Sequence, residues 1–152
     1  MKRLFLALVV TTALLASVAV SATAAETPFK GTVNAVETGT VVGPTRFLVR
    51  DGGGNATHLG KYTEHITMQI NLPTRHSMGA ATFTAANGDT LNATVEGQAT
   101  PAGPGVLSIV EVYSITGGTG RFAGATGTFT LESTVDQATG VSSGAFSGAI
   151  DH

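Results

Sequence analysis

The chain has 152 residues, 8 Lys and Arg against 10 Asp and Glu, and no cysteine, so it excludes a disulfide scaffold and any thiolate nucleophile or thiolate metal site. From residue 25 onward six basic residues face ten acidic ones, a net charge of −4 (six minus ten) with no clustered Lys or Arg, which argues against nucleic acid as a partner. Only 12% of residues are charged, while 20 are glycine.

Residues 1–24 read as a cleaved secretory signal peptide. Lys2 and Arg3 form a basic start, the apolar run "LFLALVVTTALLASVAV" follows, and Ala22-Thr23-Ala24 fits a small-x-small cleavage site. The expected address is secreted or periplasmic. A retained membrane anchor is the other reading, but the run is marginal for a spanning helix, which needs about 20 residues. No later segment is long and apolar enough to span a membrane, and residues 25–152 are expected to form one domain. The absence of cysteine fits bacterial export better than eukaryotic secretion. Asn55-Ala56-Thr57 and Asn92-Ala93-Thr94 are formal glycosylation sequons, relevant only in a host that reads them.

The remaining elements all read as strands. Phe29, Val33 and Ala35 share one face of a strand over Phe29–Glu37, and Arg46–Arg50 forms a second. "DGGGN", Asp51 to Asn55, reads as a turn or flexible loop. In "KYTEHITMQINL", Tyr62, Glu64, Ile66, Met68, Ile70 and Leu72 alternate with polar residues, which gives a strand with one dry and one wet face. "ATFTAANGDTLNATVEG" reads as a hairpin with Asn87-Gly88 in a type I′ turn. "ATPAGPG", Ala99 to Gly105, reads as a connection, and "VLSIVEVYSI", apolar on both faces, as a central strand. "TFTLESTVD" alternates again, and "GAFSGAI" closes the chain with Phe146 and Ile150 on one face. About eight antiparallel strands with turn residues every 8 to 15 positions or so define an all-β sandwich or barrel.

"TGGTGRFAGATG", Thr116 to Gly127, has the look of a phosphate-binding loop, but a strand pattern follows it where the dinucleotide fingerprint requires a helix. It reads instead as a connection in which glycines take backbone geometries closed to other residues and Phe122 tucks into one end of the core. Gly117, Gly118, Thr119, Gly120 and Phe122, with Gly127 opening the next strand, resemble the Gly-Gly-Thr/Ser-Gly-x-Phe motif of the allene oxide cyclase and dirigent superfamily. The resemblance covers about the last third of the chain after the signal peptide. It implies an eight-stranded antiparallel barrel, often oligomeric, whose lumen holds a hydrophobic ligand. Plant cyclases of that family isomerise a fatty-acid epoxide, and dirigent proteins steer phenolic intermediates. The matched residues are structural, so the resemblance assigns no catalytic residue here.

From the residues themselves, Glu64 and Glu111 lie between apolar neighbours on their strands, with Tyr62 and Tyr113 adjacent. A carboxyl facing an apolar lumen has a raised pKa and can act as an acid or base, so Tyr62, Glu64, Glu111 and Tyr113 are the candidate lumenal site, catalytic or ligand-binding. The alternative turns each Glu to solvent or pairs it with an arginine. Arg46 and Arg50 share a strand face and either pair with those carboxyls, hold an acidic head group, or sit on the surface. His58, His65 and His76 match no common zinc spacing, so no metal and no cofactor is expected. The expected partner is a small apolar ligand or a second copy of the chain. Two functions stay open: a non-catalytic binding or structural module, and an isomerase or cyclase acting in the lumen.

Overall fold

A computed structural model of the chain describes residues Glu26–His152. The signal-peptide reading of residues 1–24 lies outside the described residues. The strands are β1 (Thr27–Val42), β2 (Thr45–Ala56), β3 (Gly60–Asn71), β4 (His76–Ala85), β5 (Thr90–Gly103), β6 (Val106–Gly118), β7 (Thr126–Asp136) and β8 (Val141–Asp151). Each pairs antiparallel with the next, and β1 pairs with β8 from Thr27↔Ile150 to Val36↔Val141, closing an eight-stranded barrel that leaves no free edge. Closure selects the barrel over the sandwich. Among the described residues no helix is long and apolar enough to cross a membrane.

Alternation decides which side chains face the lumen. Phe29, Val33, Leu48, Ile66, Phe83, Leu91, Val95, Tyr113, Phe129 and Phe146 are all buried on inward positions, and Thr is the commonest residue on the outward ones. One half of the lumen is plugged by aromatic rings. Phe129 lies 5.1 Å from Phe29 and 5.0 Å from Phe146, ring centre to ring centre, and stacks on Tyr113 at 4.5 Å. Phe122, fully buried, caps this end from a single 3-10 turn, Gly120–Phe122.

Several boundaries differ from the sequence reading. "DGGGN" is not a loop: Gly52, Gly53 and Gly54 pair with Ala35, Asn34 and Val33 of β1 on one side and with Glu64, Thr63 and Tyr62 of β3 on the other. Glycine depresses strand propensity, but here the ladder on both sides overrides it. The Asn87-Gly88 turn is not type I′, because of the two only Gly88 has positive φ (89°). Gly88 N–H donates to the Ala85 carbonyl and Ala85 N–H to the Asp89 carbonyl, which makes a wider turn. β5 continues through Thr100 and Pro101 to Gly103, so only Pro104 and Gly105 connect it to β6. β6 is apolar on both faces as read, but its outward Val110 and Val112 stand 45% and 48% exposed: a barrel has no doubly covered strand.

The glycine-rich stretch forms the β6–β7 corner. The register shifts between Asn92↔Gly117 and Ala93↔Ile115, leaving Thr116 as the extra residue of a bulge, with Gly117 at φ 124°. Gly127 opens β7 at φ 129°, and a Cβ there would meet the Ala149 carbonyl oxygen at 2.3 Å. Gly127→Ala is therefore expected to cost about 1–3 kcal/mol in equilibrium urea unfolding, with an unchanged denaturant slope.

Candidate functional site

The non-aromatic half of the lumen holds a buried polar cluster. Arg50 on β2 is 1% exposed, which corrects the surface placement offered for it. Its Nε–H donates to Glu64 Oε1 at 3.2 Å, and Nη1 and Nη2 donate to the two oxygens of Glu111 at 3.1 and 2.9 Å. Nη2 also contacts the Tyr113 hydroxyl, which donates to Glu111 Oε2 at 2.7 Å. The fork-on-carboxylate pair with Glu111 is the strong, directional form of this interaction. Arg50 thus crosses the lumen from β2 to β6, and both glutamates take the arginine-paired alternative rather than turning to solvent.

Burial and pairing oppose each other at these groups. Burial pushes the Glu64 carboxyl above the usual carboxylate range, and the Arg50 charge only partly offsets it. Burial pushes the Tyr113 hydroxyl well up, and the Glu111 charge beside it adds to that. Neither tyrosine is a ready proton donor at neutral pH. Tyr62 leaves the cluster altogether: its hydroxyl donates to the Thr32 carbonyl at 2.9 Å, and its ring packs edge-on to Phe83 and Phe146.

Below the cluster the lumen opens toward the β1–β2, β3–β4, β5–β6 and β7–β8 turns. A void of about 30 Å³ lined by Ser77, Ile109 and Glu111 leads into a recess of about 140 Å³ at the mouth. The void has room for one or two waters, whereas the recess approaches the roughly 150 Å³ of a cavity that holds benzene. Ile70, Leu72, Leu107, Ile109 and Val135 form the recess's apolar wall, with Arg46 and Arg75 at its rim and Arg75 lining the void as well. Neither arginine makes an ion pair among the described residues, and Arg46 does not join the Arg50 cluster.

Glu37 lines both the recess and the void, and the sequence reading missed it as a site residue. It is 8% exposed and sits directly opposite Arg50 across the β1–β2 ladder, yet Arg50 turns its guanidinium to the other carboxylates. Burial raises the Glu37 pKa, against the charges of Arg50 and Arg46. Parity contained the signal: Glu37 falls two residues after Ala35, on the face shared by Phe29 and Val33. Because its folded pKa lies above the unfolded one, Glu37 favours the folded state fully only below the ordinary carboxylate range, and that contribution is lost as pH rises through its folded pKa. Glu37→Gln is thus expected to gain stability relative to the parent between pH 4 and pH 8, read as the difference between two urea-unfolding series; a difference independent of pH would refute the assignment.

A larger open groove of about 810 Å³ runs over the outside of β1–β4, between Thr38, Phe47, Thr67 and Met78. It contains no titratable side chain, whereas Glu37, Arg46 and Arg75 line the smaller recess in the lumen. His65 also faces outward, 2.7 Å from Asp51. No family model, curated protein or solved structure matches the chain.

Proposed function

We propose that the chain is an exported, non-catalytic barrel that binds one compact, mostly apolar molecule in the recess at the lumen mouth, a relative in design of the allene oxide cyclase and dirigent barrels. The observation that carries this reading is the 140 Å³ recess with aliphatic walls and a polar floor, the composition expected of a small-molecule site. Two further facts support it. Glu64 and Glu111, the carboxyls first suspected of acid–base work, are occupied by Arg50, and Tyr113 is hydrogen-bonded into the same cluster. The aromatic plug leaves no lumen for a long chain such as a fatty-acid epoxide.

The test is a titration of the isotope-labelled protein with toluene, followed by amide chemical shifts. Shifts confined to the neighbourhood of Ile70, Leu107, Ile109 and Val135, and their loss in Ile109→Trp at unchanged fold, are the expected result. Shifts over Phe47 and Met78 would instead place binding in the outer groove.

A second reading, an isomerase or cyclase of the same superfamily type, draws on Glu37. It is a carboxyl with a raised pKa at the recess that accepts no hydrogen bond from the described residues. That is the state of a general acid or base. The compact recess favours binding over this alternative.

A further inference from the structure

Glu37 is more than nine-tenths buried, faces the recess, and receives no hydrogen bond from any described residue. Its oxygens are not among the buried orphan atoms of the described residues, so water reaches them through the recess, and a ligand that fills the recess takes that water away unless it returns a hydrogen bond. Arg50, the cross-strand partner of Glu37, is committed to Glu64, Glu111 and Tyr113. We infer that Glu37 makes the recess selective for a small neutral molecule with one hydroxyl on an apolar body. The inference rests on the binding reading above and adds the polar half of the ligand.

The choice of a hydroxyl follows from what surrounds the carboxyl. A hydroxyl donates to a carboxylate and accepts from a carboxylic acid, so it suits Glu37 in either protonation state. An ammonium suits only the carboxylate, and it would enter past Arg46 and Arg75 and end opposite Arg50. An anion would gain the rim arginines but bring its charge against Glu37, with Glu111 behind it. A plain hydrocarbon fills the aliphatic wall but removes water from Glu37 and returns nothing. The recess volume limits the whole molecule to about the size of one six-membered ring with a short substituent.

The test compares toluene, benzyl alcohol, benzylamine and benzoate by the same amide-shift titration at pH 7. Benzyl alcohol is expected to bind about tenfold more tightly than toluene, a ratio that one hydrogen bond to a buried carboxyl supplies, and more tightly than benzylamine or benzoate. In Glu37→Leu the ratio of the two neutral ligands falls to about one while toluene binding persists; in Glu37→Gln, which keeps a donor and an acceptor, most of the preference remains. The comparison of ligands on the parent protein stands even where a variant fails to fold. Equal binding of toluene and benzyl alcohol, or a preference that survives Glu37→Leu, overturns the inference and leaves the binding reading intact. Tightest binding of benzoate overturns it in favour of an anion held by Arg46 and Arg75. Binding of none of the four overturns both.

Discussion

Arg50→Met is expected to destabilise the barrel by about 3–5 kcal/mol at pH 8, the cost of breaking a buried ion pair from one side. Arg50 is the only cation in contact with Glu64 and Glu111 among the described residues, and both carboxylates are nearly inaccessible to water. Removing it leaves two buried anions with no counter-charge. The loss should depend on pH. Without Arg50 the Glu64 carboxyl, which burial already holds above its ordinary range, loses the charge that partly offsets that burial, so its folded pKa rises further above the unfolded one. The stability it contributes at low pH is then lost as pH rises through the raised value. The variant should therefore sit closest to the parent near pH 4 and farthest from it at pH 8. Removing all three charges together, as Arg50→Met with Glu64→Leu and Glu111→Leu, should recover most of the loss, since buried ionic groups replaced as a set by apolar ones are often neutral or better. Urea unfolding at several pH values measures each of these. A single variant as stable as the parent at pH 8 would mean that water reaches the cluster and that the lumen is not sealed above it.

Phe129→Ala should cost a similar amount, about 3–5 kcal/mol, for a different reason. Phe129 is 2% exposed and touches four other rings: it stacks on Tyr113 with the planes 4° apart and meets Phe29, Phe83 and Phe146 at 5.0–5.8 Å. Strands on a closed ladder cannot move inward to fill the hole without breaking backbone hydrogen bonds, so most of the cavity persists and the loss falls at the upper end of the range. The variant should also gain a toluene site in the aromatic half of the lumen, seen as new amide shifts around Leu131 and Phe146 that the parent lacks. A cost near 1 kcal/mol, with no new site, would show that the plug repacks freely.

These two residues differ in how far the sequence announces them. Phe129 could be placed by parity, since it alternates with Thr128 and Thr130 and shares a face with Leu131 and Val135. The same rule put Glu64, Glu111 and Tyr113 on inward faces. Arg50 was ambiguous, because one strand with Leu48 between two arginines reads equally as a surface stripe. Its partners lie 14 and 61 residues away along the chain, and no local pattern joins β2 to β6. "DGGGN" was misread for a related reason: three glycines lower local strand propensity, and only the partners on β1 and β3 hold them extended.

By itself the sequence determined the strand class, the side that turns inward on the strands that alternate, and the corner at Gly117–Gly127, because side-chain alternation and positive-φ glycines are properties of a few neighbouring residues. Tertiary structure decided the closure of β1 on β8, the meeting of Arg50 with Glu64 and Glu111, the departure of Tyr62 into the aromatic half, and the isolation of Glu37 at the recess. Those outcomes depend on which strands face each other across the lumen and by how much they are staggered, and that stagger is set by all eight ladders together rather than by any one strand.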